Sequence, residues 1–266
     1  MDCLAVVDHI ASWIKKEILK RNRDCAVVGV SGGIDSALVS TLCCIAGVKT
    51  DLFIMSIHQS PDHVTRAKNH IDWLMEKKSF KIILHELDLT HKFDVFCEGF
   101  PNNDLARANL RSRMRMNTLY YYATHIKGLV IGTGNKVEDF GLGFFTKYGD
   151  GGVDISPIGK LTKTQVRELS SYLDINEEIL KASPSDGLWD DNRTDESQLG
   201  DSYEEFEWAM KLCEKYDITE IDEQCPIYTG LTERKRSTLS KYTMLHNLSL
   251  HKMEPIPICD IPEDIL

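Results

Sequence analysis

Apolar positions in the opening stretch recur at helical spacing: Leu4, Val7, Ile10, Ile14 and Ile18. That period predicts an amphipathic helix over residues 3–20. After a polar turn at 21–24 the pattern changes. CAVVGV (25–30) is a short apolar run bounded by glycine, which reads as a buried strand. An apolar helical stretch then runs to Ala46. DLFIMSI (51–57) reads as a second strand, and residues 62–77 as a helix opened by Pro61–Asp62. FKIILHEL (80–87) reads as a third strand, 104–126 as a long helix, and GLVIGT (128–133) as a fourth strand. Apolar strands alternating with helices predict parallel βαβ units. The expected fold class is therefore α/β, an open parallel sheet with helices on both faces.

Past residue 133 the rhythm breaks. GFFTKYGDGG (143–152) is too rich in glycine and polar groups for an element interior and reads as a loop. VDISPIG (153–159) is expected to add a short strand. LTKTQVRELSSYL (161–173) reads as a helix with Thr162 as its N-cap. SPSDGLWDDNRTDESQLG (183–200) is a polar loop long enough to suggest function. Residues 202–217 and 231–248 read as helices. The tail, with Pro255, Pro257 and Pro262, reads as extended. No internal repeat is visible.

Composition narrows the picture. A chain of 266 residues holds one large α/β domain with appendages, or two domains. Its net charge is −10, from 31 Lys plus Arg against 41 Asp plus Glu. That argues against nucleic acid or an anionic membrane surface as partner. No apolar run reaches the length of a membrane span, and charges interrupt the apolar stretch at the start, so no signal peptide is expected. Eight cysteines include no CxxC, and the histidines form no HExxH. The expectation is a reduced, cytoplasmic protein without a zinc site.

The sharpest chemical signal lies where the first strand hands over to a helix: Gly29-Val30-Ser31-Gly32-Gly33-Ile34-Asp35-Ser36. Adjacent glycines let the backbone turn tightly and approach a ligand closely. Their N–H groups, with the positive end of the following helix, suit phosphate oxygens, and Ser31 and Ser36 add hydroxyl donors. Asp35 beside a phosphate would be repulsive without an intervening cation, so it implies Mg²⁺. Neither GxxxxGK[ST] nor GxGxxG is present.

SGGIDS resembles the pyrophosphate loop of the N-type ATP pyrophosphatases, which cleave ATP between its α and β phosphates. Four further blocks choose within that group: NLRSRMRM (109–116), GTGNKVE (132–138), GFFTKYGDGGVDISPIGKLTKTQVREL (143–169) with the loop at 183–200, and HKM (251–253). Together they resemble ammonia-dependent NAD synthetases, over nearly the whole chain. The resemblance implies an adenine nucleotide alpha hydrolase-like fold, in one domain (1–266) with an extended C-terminal helical segment from about 202 to 266. The implied reaction is ATP-dependent amidation of nicotinic acid adenine dinucleotide (deamido-NAD) to NAD through an acyl adenylate, releasing AMP and pyrophosphate.

Residue roles follow by position. Asp35 and Glu138, each after a strand, match carboxylates that bind Mg²⁺. Gly29, Ser31, Gly32, Gly33, Asp35, Ser36, Arg113, Thr133, Lys163 and Ser185 match ATP and pyrophosphate contacts. Arg115, Lys147, Asp154, His251 and Lys252 match substrate contacts, and Asp150 matches the group placed near the incoming ammonia. Met253 stands where many relatives carry Arg, and Ile34 where many carry Gln. The resemblance also implies a homodimer with the dinucleotide at its interface. The synthetase blocks leave no room for a glutaminase domain, so free ammonia is the expected donor; a separate glutaminase subunit stays open. Two other readings stay open: another SGGxDS pyrophosphatase such as a tRNA-thiolating enzyme, and an ATP-binding regulator without turnover.

Overall fold

The structure is a computed structural model that describes residues 1–77, 79–185, 187–189 and 194–265. Four strands form one sheet in the order β3-β2-β1-β4: β1 Cys25–Gly29, β2 Lys49–Ser56, β3 Ile82–Asp88 and β4 Gly128–Val130. Every pairing is parallel, with Ala26 opposite Thr50 and Leu129, and Leu52 opposite Leu84. The unbroken apolar runs of β1 and β2 arise because both faces of the sheet are covered. Ala26, Val28, Leu52, Ile54, Leu129 and Ile131 point to one core, whereas Cys25, Val27, Phe53, Met55 and Val130 point to another. β3 lies at the edge and alternates between half-buried and exposed positions.

The helices are α1 Cys3–Lys20, α2 Ile34–Ile45, α3 Pro61–Glu76, α4 Thr90–Cys97, α5 Asp104–Ile126, α6 Lys163–Tyr172, α7 Glu177–Leu180, α8 Asp195–Leu199, α9 Tyr203–Tyr216, α10 Pro226–Thr229 and α11 Glu233–Met253. On the first face, α1, α2, α3 and α6 bury Ile14, Leu38, Ile71 and Leu169 among others. On the second face, α4 and α5 supply Phe93 and Ala123. A third core joins α9 and α11 to a π-helical turn, Lys136–Leu142, through Val137, Phe206, Met210 and Tyr242. The C-terminal helical segment thus packs against the chain immediately after β4.

Most expected elements are present, and several differ; β4, for one, stops at Val130 instead of 133. VDISPIG forms no strand: it meets the end of β4 at one isolated bridge, Ile131 with Ile155, where Asp154 N–H donates to Val130 O (3.0 Å) and Gly132 N–H to Ile155 O (2.7 Å). Asp154 takes the N–H of Val130 (2.8 Å) with its carboxylate, and Pro157 has no N–H to extend a ladder. α4 and the π-helical turn were not visible in the pattern, and α11 runs five residues past the expected end at 248. Thr162 does cap α6, in a full capping box with Gln165. Within 183–200, α8 replaces an expected loop, and the part of that segment at 186 and 190–193 lies outside the described residues. All eight cysteines are unbridged, and among the described residues no helix is long and apolar enough to cross a membrane.

Candidate active site

From β1 the chain continues to β2 and β3 on one side, while β4 pairs on the other. The crevice beyond the carboxyl ends of β1 and β4 is therefore the switch point of the sheet, where open α/β folds bind ligands. A cleft of about 270 Å³ opens there. Its floor is the SGGIDS loop and the start of α2.

The loop is held by its own side chains. Ser36 Oγ donates to Gly33 O (2.9 Å) and accepts the N–H of Ser31 (3.2 Å), and Ser31 Oγ lies 3.1 Å from it. Gly32 adopts φ +83°, and a Cβ there would sit 2.4 Å from the carbonyl oxygen of His63 on α3. Glycine is required at that position by both conformation and space. The N-cap Gly33 gives its own N–H to Ser31 Oγ (3.2 Å), and no side chain caps the first turn of α2, whose residues Ile34, Asp35 and Ser36 line the cleft. This is the arrangement that receives a phosphate.

Beside the loop three charges meet. Lys163, the first residue of α6, is 3% exposed, and its Nζ donates to Asp35 Oδ2 (2.6 Å) and Glu138 Oε1 (2.9 Å). Asn135, fully buried after β4, ties the two acids together. Its Nδ2 donates to Asp35 Oδ1 (3.1 Å), while its Oδ1 accepts the N–H groups of Val137 and Glu138 and so caps the π-helical turn. Tyr203 Oη lies 2.6 Å from Glu138 Oε1. Burial pushes the Asp35 carboxyl up, against the pull of the Lys163 ammonium. Burial also opposes ionisation of Glu138, but Lys163 and the hydrogen bonds from Tyr203, Lys163 and Asn135 outweigh it and hold that carboxyl below its usual range. The two carboxylates hold Lys163 charged despite its burial.

Two hard oxygen donors converging on one cation suit Mg²⁺, which commonly takes one or two carboxylates and completes its shell with water and phosphate. Among the described residues no group of three His, Cys, Asp or Glu could form a cage made of protein ligands alone. Asp35 and Glu138 are a donor set that fits a divalent cation completing its shell with water and phosphate.

Two more acids line the cleft. Asp139 is pushed well up by burial and by Asp150, Glu138 and Asp35. Asp150 lies at the rim, with Oδ1 accepting from Ser112 Oγ (2.6 Å) and from the N–H of Thr146 (3.0 Å). Neither of those bonds uses Oδ2.

Gly29, Ser31, Gly32, Gly33, Asp35 and Ser36 all line the cleft, as do Thr133, Glu138, Lys163 and Ser185. So do Arg115 and Asp150. Arg115 reaches across to Met55 O (3.0 Å) and Gln59 Oε1 (2.6 Å). Arg113, expected on ATP, is instead exposed outside the cleft, its Nε donating to Lys147 O (3.3 Å). On α5, Ser112, Arg115, Met116 and Leu119 line the cleft at helical spacing, and position 113 points away from that face. Lys147, Asp154, His251 and Lys252 also lie outside it. Lys147 Nζ bonds His251 O, and Lys252 Nζ bonds Phe145 O (3.1 Å), joining the end of α11 to the 143–147 loop. Asp154 holds the N–H of Val130 and the hydroxyl of Tyr120.

Sequence reasoning missed Asn135, Asp139 and Tyr203. Asn135 carried a signal, since an Asn three residues before an acid is a helix-start pattern. Tyr203 carried none.

A family model described as NAD synthase matches residues 6–254. The chain belongs to the NAD synthase family. It is 42% identical over 216 residues to the NH(3)-dependent NAD(+) synthetase of Methanococcoides burtonii, covering 79% of this chain and 80% of the relative. Its fold matches the NMN synthetase of Francisella tularensis with a TM-score of 0.83 at 28% identity, over 98% of this chain and 100% of that one. It matches the NH3-dependent NAD synthetase of Campylobacter jejuni with a TM-score of 0.76 at 25% identity, over 98% and 100%. As in those NAD synthase relatives, the chain is an enzyme of the carbon–nitrogen ligase class.

Proposed function

We propose that this NAD synthase family member amidates deamido-NAD with ammonia at the cost of ATP. The nicotinate carboxylate oxygen attacks the α phosphorus of ATP, the bond to the β phosphate breaks, and pyrophosphate leaves. Ammonia then attacks the acyl carbon, AMP leaves with the bonding electrons, and one ammonia proton is lost. The observation that carries this reading is the Asp35–Lys163–Glu138 cluster set beside the uncapped start of α2.

The N–H groups at the start of α2 hold the triphosphate by hydrogen bonds, Ser31 and Ser36 shape the loop that presents them, and Thr133 and Ser185 border the nucleotide. Asp35 and Glu138 would hold Mg²⁺, which supplies charge neutralisation for the departing pyrophosphate. Lys163 adds a cation at the same place, so charge developing on the leaving group meets a site already organised. Asp150, with Oδ1 engaged and Oδ2 outside those bonds, draws ammonium to the rim and takes its proton. Lys147, Asp154, His251 and Lys252 sit outside the cleft of one copy, and the homodimer that the family resemblance implies would place the rest of the acceptor at its interface.

The test combines the chain with ATP, Mg²⁺, deamido-NAD and ammonium and reads NAD and pyrophosphate. Equal amounts of both are expected, with NAD dependent on ammonium. Neither product would leave an ATP-binding regulator; pyrophosphate with no NAD under saturating ammonium would point to another pyrophosphatase chemistry.

A second reading concerns the acceptor. The match to an NMN synthetase over both full chains favours nicotinic acid mononucleotide as an alternative carboxylate. The two acceptors share the reacting nicotinate and differ only in the adenylate half. Measuring kcat/KM for each in the same assay decides between them.

A further inference from the structure

We propose that Tyr203 is a positioning residue for Glu138: its hydroxyl fixes the carboxylate in the orientation that holds the nucleotide's cation. The inference rests on the reading of Glu138 as a Mg²⁺ ligand and extends it to a residue 65 positions away in the chain.

Tyr203 opens α9, where Ser202 caps the helix in a capping box with Glu205. That cap sets the direction of the first turn and drives the side chain inward. The residue is 1% exposed, so its hydroxyl has no water to turn to. Two carboxylates face it: Glu138 Oε1 at 2.6 Å and Asp195 Oδ2 at 2.9 Å. A phenol carries one proton, and the shorter contact takes it. The bond falls on Oε1, the same oxygen that accepts from Lys163. Lys163 Nζ in turn sits 4.8 Å from the centre of the Tyr203 ring. One side chain thus supports the carboxylate with its hydroxyl and the ammonium with its ring face.

The consequence is geometric. With Oε1 anchored on two donors, rotation of the Glu138 carboxyl is restricted and Oε2 has a defined direction. A ligand already oriented binds a cation without first losing rotational freedom. Asp195 links this to the segment above the cleft, because its N–H donates to Pro184 O (3.0 Å), next to Ser185.

Tyr203→Phe keeps the ring, its packing and its face toward Lys163, and removes only the hydroxyl. Mn²⁺ serves as the probe, with binding read from the free-ion EPR signal in the presence of a non-hydrolysable ATP analogue. Mn²⁺ affinity is expected to fall by about 10- to 100-fold, the range for losing a group that orients a metal ligand. Circular dichroism melting checks that the fold is retained. Glu138→Gln should weaken Mn²⁺ at least as much, and the double variant should be no worse than Glu138→Gln alone, since the two act through one carboxylate. Asp195→Asn, which leaves the phenol its bond to Glu138, should stay within about twofold of the parent. Normal Mn²⁺ binding by Tyr203→Phe, alongside weakened binding by Glu138→Gln, overturns the assignment while leaving the cation site in place. Normal binding by Glu138→Gln removes the cation reading itself, and the role of Tyr203 with it. A loss in Asp195→Asn equal to that in Tyr203→Phe would route the effect through α8 and also overturn the assignment.

Discussion

Replacing Lys163 by Met removes the one ammonium between Asp35 and Glu138 while keeping an unbranched chain of similar volume. Lys163 is 3% exposed, and the side chains of Asp35 and Glu138 are 17% and 15% exposed. Removing one partner of a buried ion pair costs about 3–5 kcal/mol, because the charge left behind has lost its water and its counter-ion. The two acids keep some solvent and the bonds from Asn135 and Tyr203, which places the loss at about 3 kcal/mol, the lower end of that range. A domain of this size loses about 2–4 °C in Tm per kcal/mol, so a drop of about 6–12 °C is expected. A small gain offsets little of this: a lysine in the first turn of α6 opposes the helix dipole, by about 0.3–1 kcal/mol.

The pH dependence of that loss has a definite sign. Without Lys163 the two carboxylates face each other with no cation, and at least one has a folded pKa above its unfolded value. The folded state then binds more protons than the unfolded one, so stability rises as pH falls. The deficit of Lys163→Met against the parent should therefore shrink between about pH 8 and about pH 5. Mg²⁺ should also stabilise the variant more than the parent. Differential scanning calorimetry over that range, with and without Mg²⁺, measures all three effects. A variant that melts with the parent, or whose deficit widens in acid, refutes the idea that Lys163 is the counter-ion of this pair.

Three other outcomes are expected. His70 is fully buried, with its Nε2 2.9 Å from Ser40 Oγ, and burial pulls its pKa down to about 4. An unfolded histidine titrates near about 6.5, so the parent should lose about 3 kcal/mol as pH falls from about 6.5 to about 4, and His70→Gln should lose less over that window in denaturant melts. An identical acid profile in the variant would count against a neutral buried His70. Asp150→Asn keeps an acceptor for Ser112 and Thr146 but not the charge; rapid quench should show a pyrophosphate burst near normal and NAD formation slowed about 10²-fold or more. A parallel loss of both products would make Asp150 a scaffold of its loop. Gly32→Ala forces a Cβ to 2.4 Å from His63 O at φ +83°, which should cost about 1–3 kcal/mol in stability and weaken ATP binding in calorimetry. Unchanged melting and ATP affinity would show that the loop tolerates a side chain.

Much of this molecule could be read along the chain. CAVVGV (25–30) before SGGIDS, the apolar runs at 51–57 and 128–133, and the polar-to-apolar period of 104–126 are local patterns, and each became an element of the expected kind, although β4 stops at Val130. The reason is that side-chain period and turn chemistry act over a few residues, so sequence spacing reports them directly. The placement of Asp35 and Glu138 at one sheet edge follows from the same logic, since each ends a parallel strand's loop. What spacing does not carry is which distant groups meet. Lys163 lies 128 residues from Asp35, and alone it reads as a solvated lysine near a helix start. It becomes a buried counter-ion because α6 packs on α2 and aims its first turn at the β1 loop. Arg113 and Arg115 are two residues apart, yet only the rotation of α5 on the sheet decides that Arg115 enters the cleft. VDISPIG had the composition of a strand, but Asp154 and Pro157 satisfy or remove the groups that a ladder needs. Tyr203 meets Glu138 through the third core, whose contacts arise only once α9 and α11 close over the π-helical turn. Long-range contacts such as these are set by the shapes of packed surfaces, which no local period encodes.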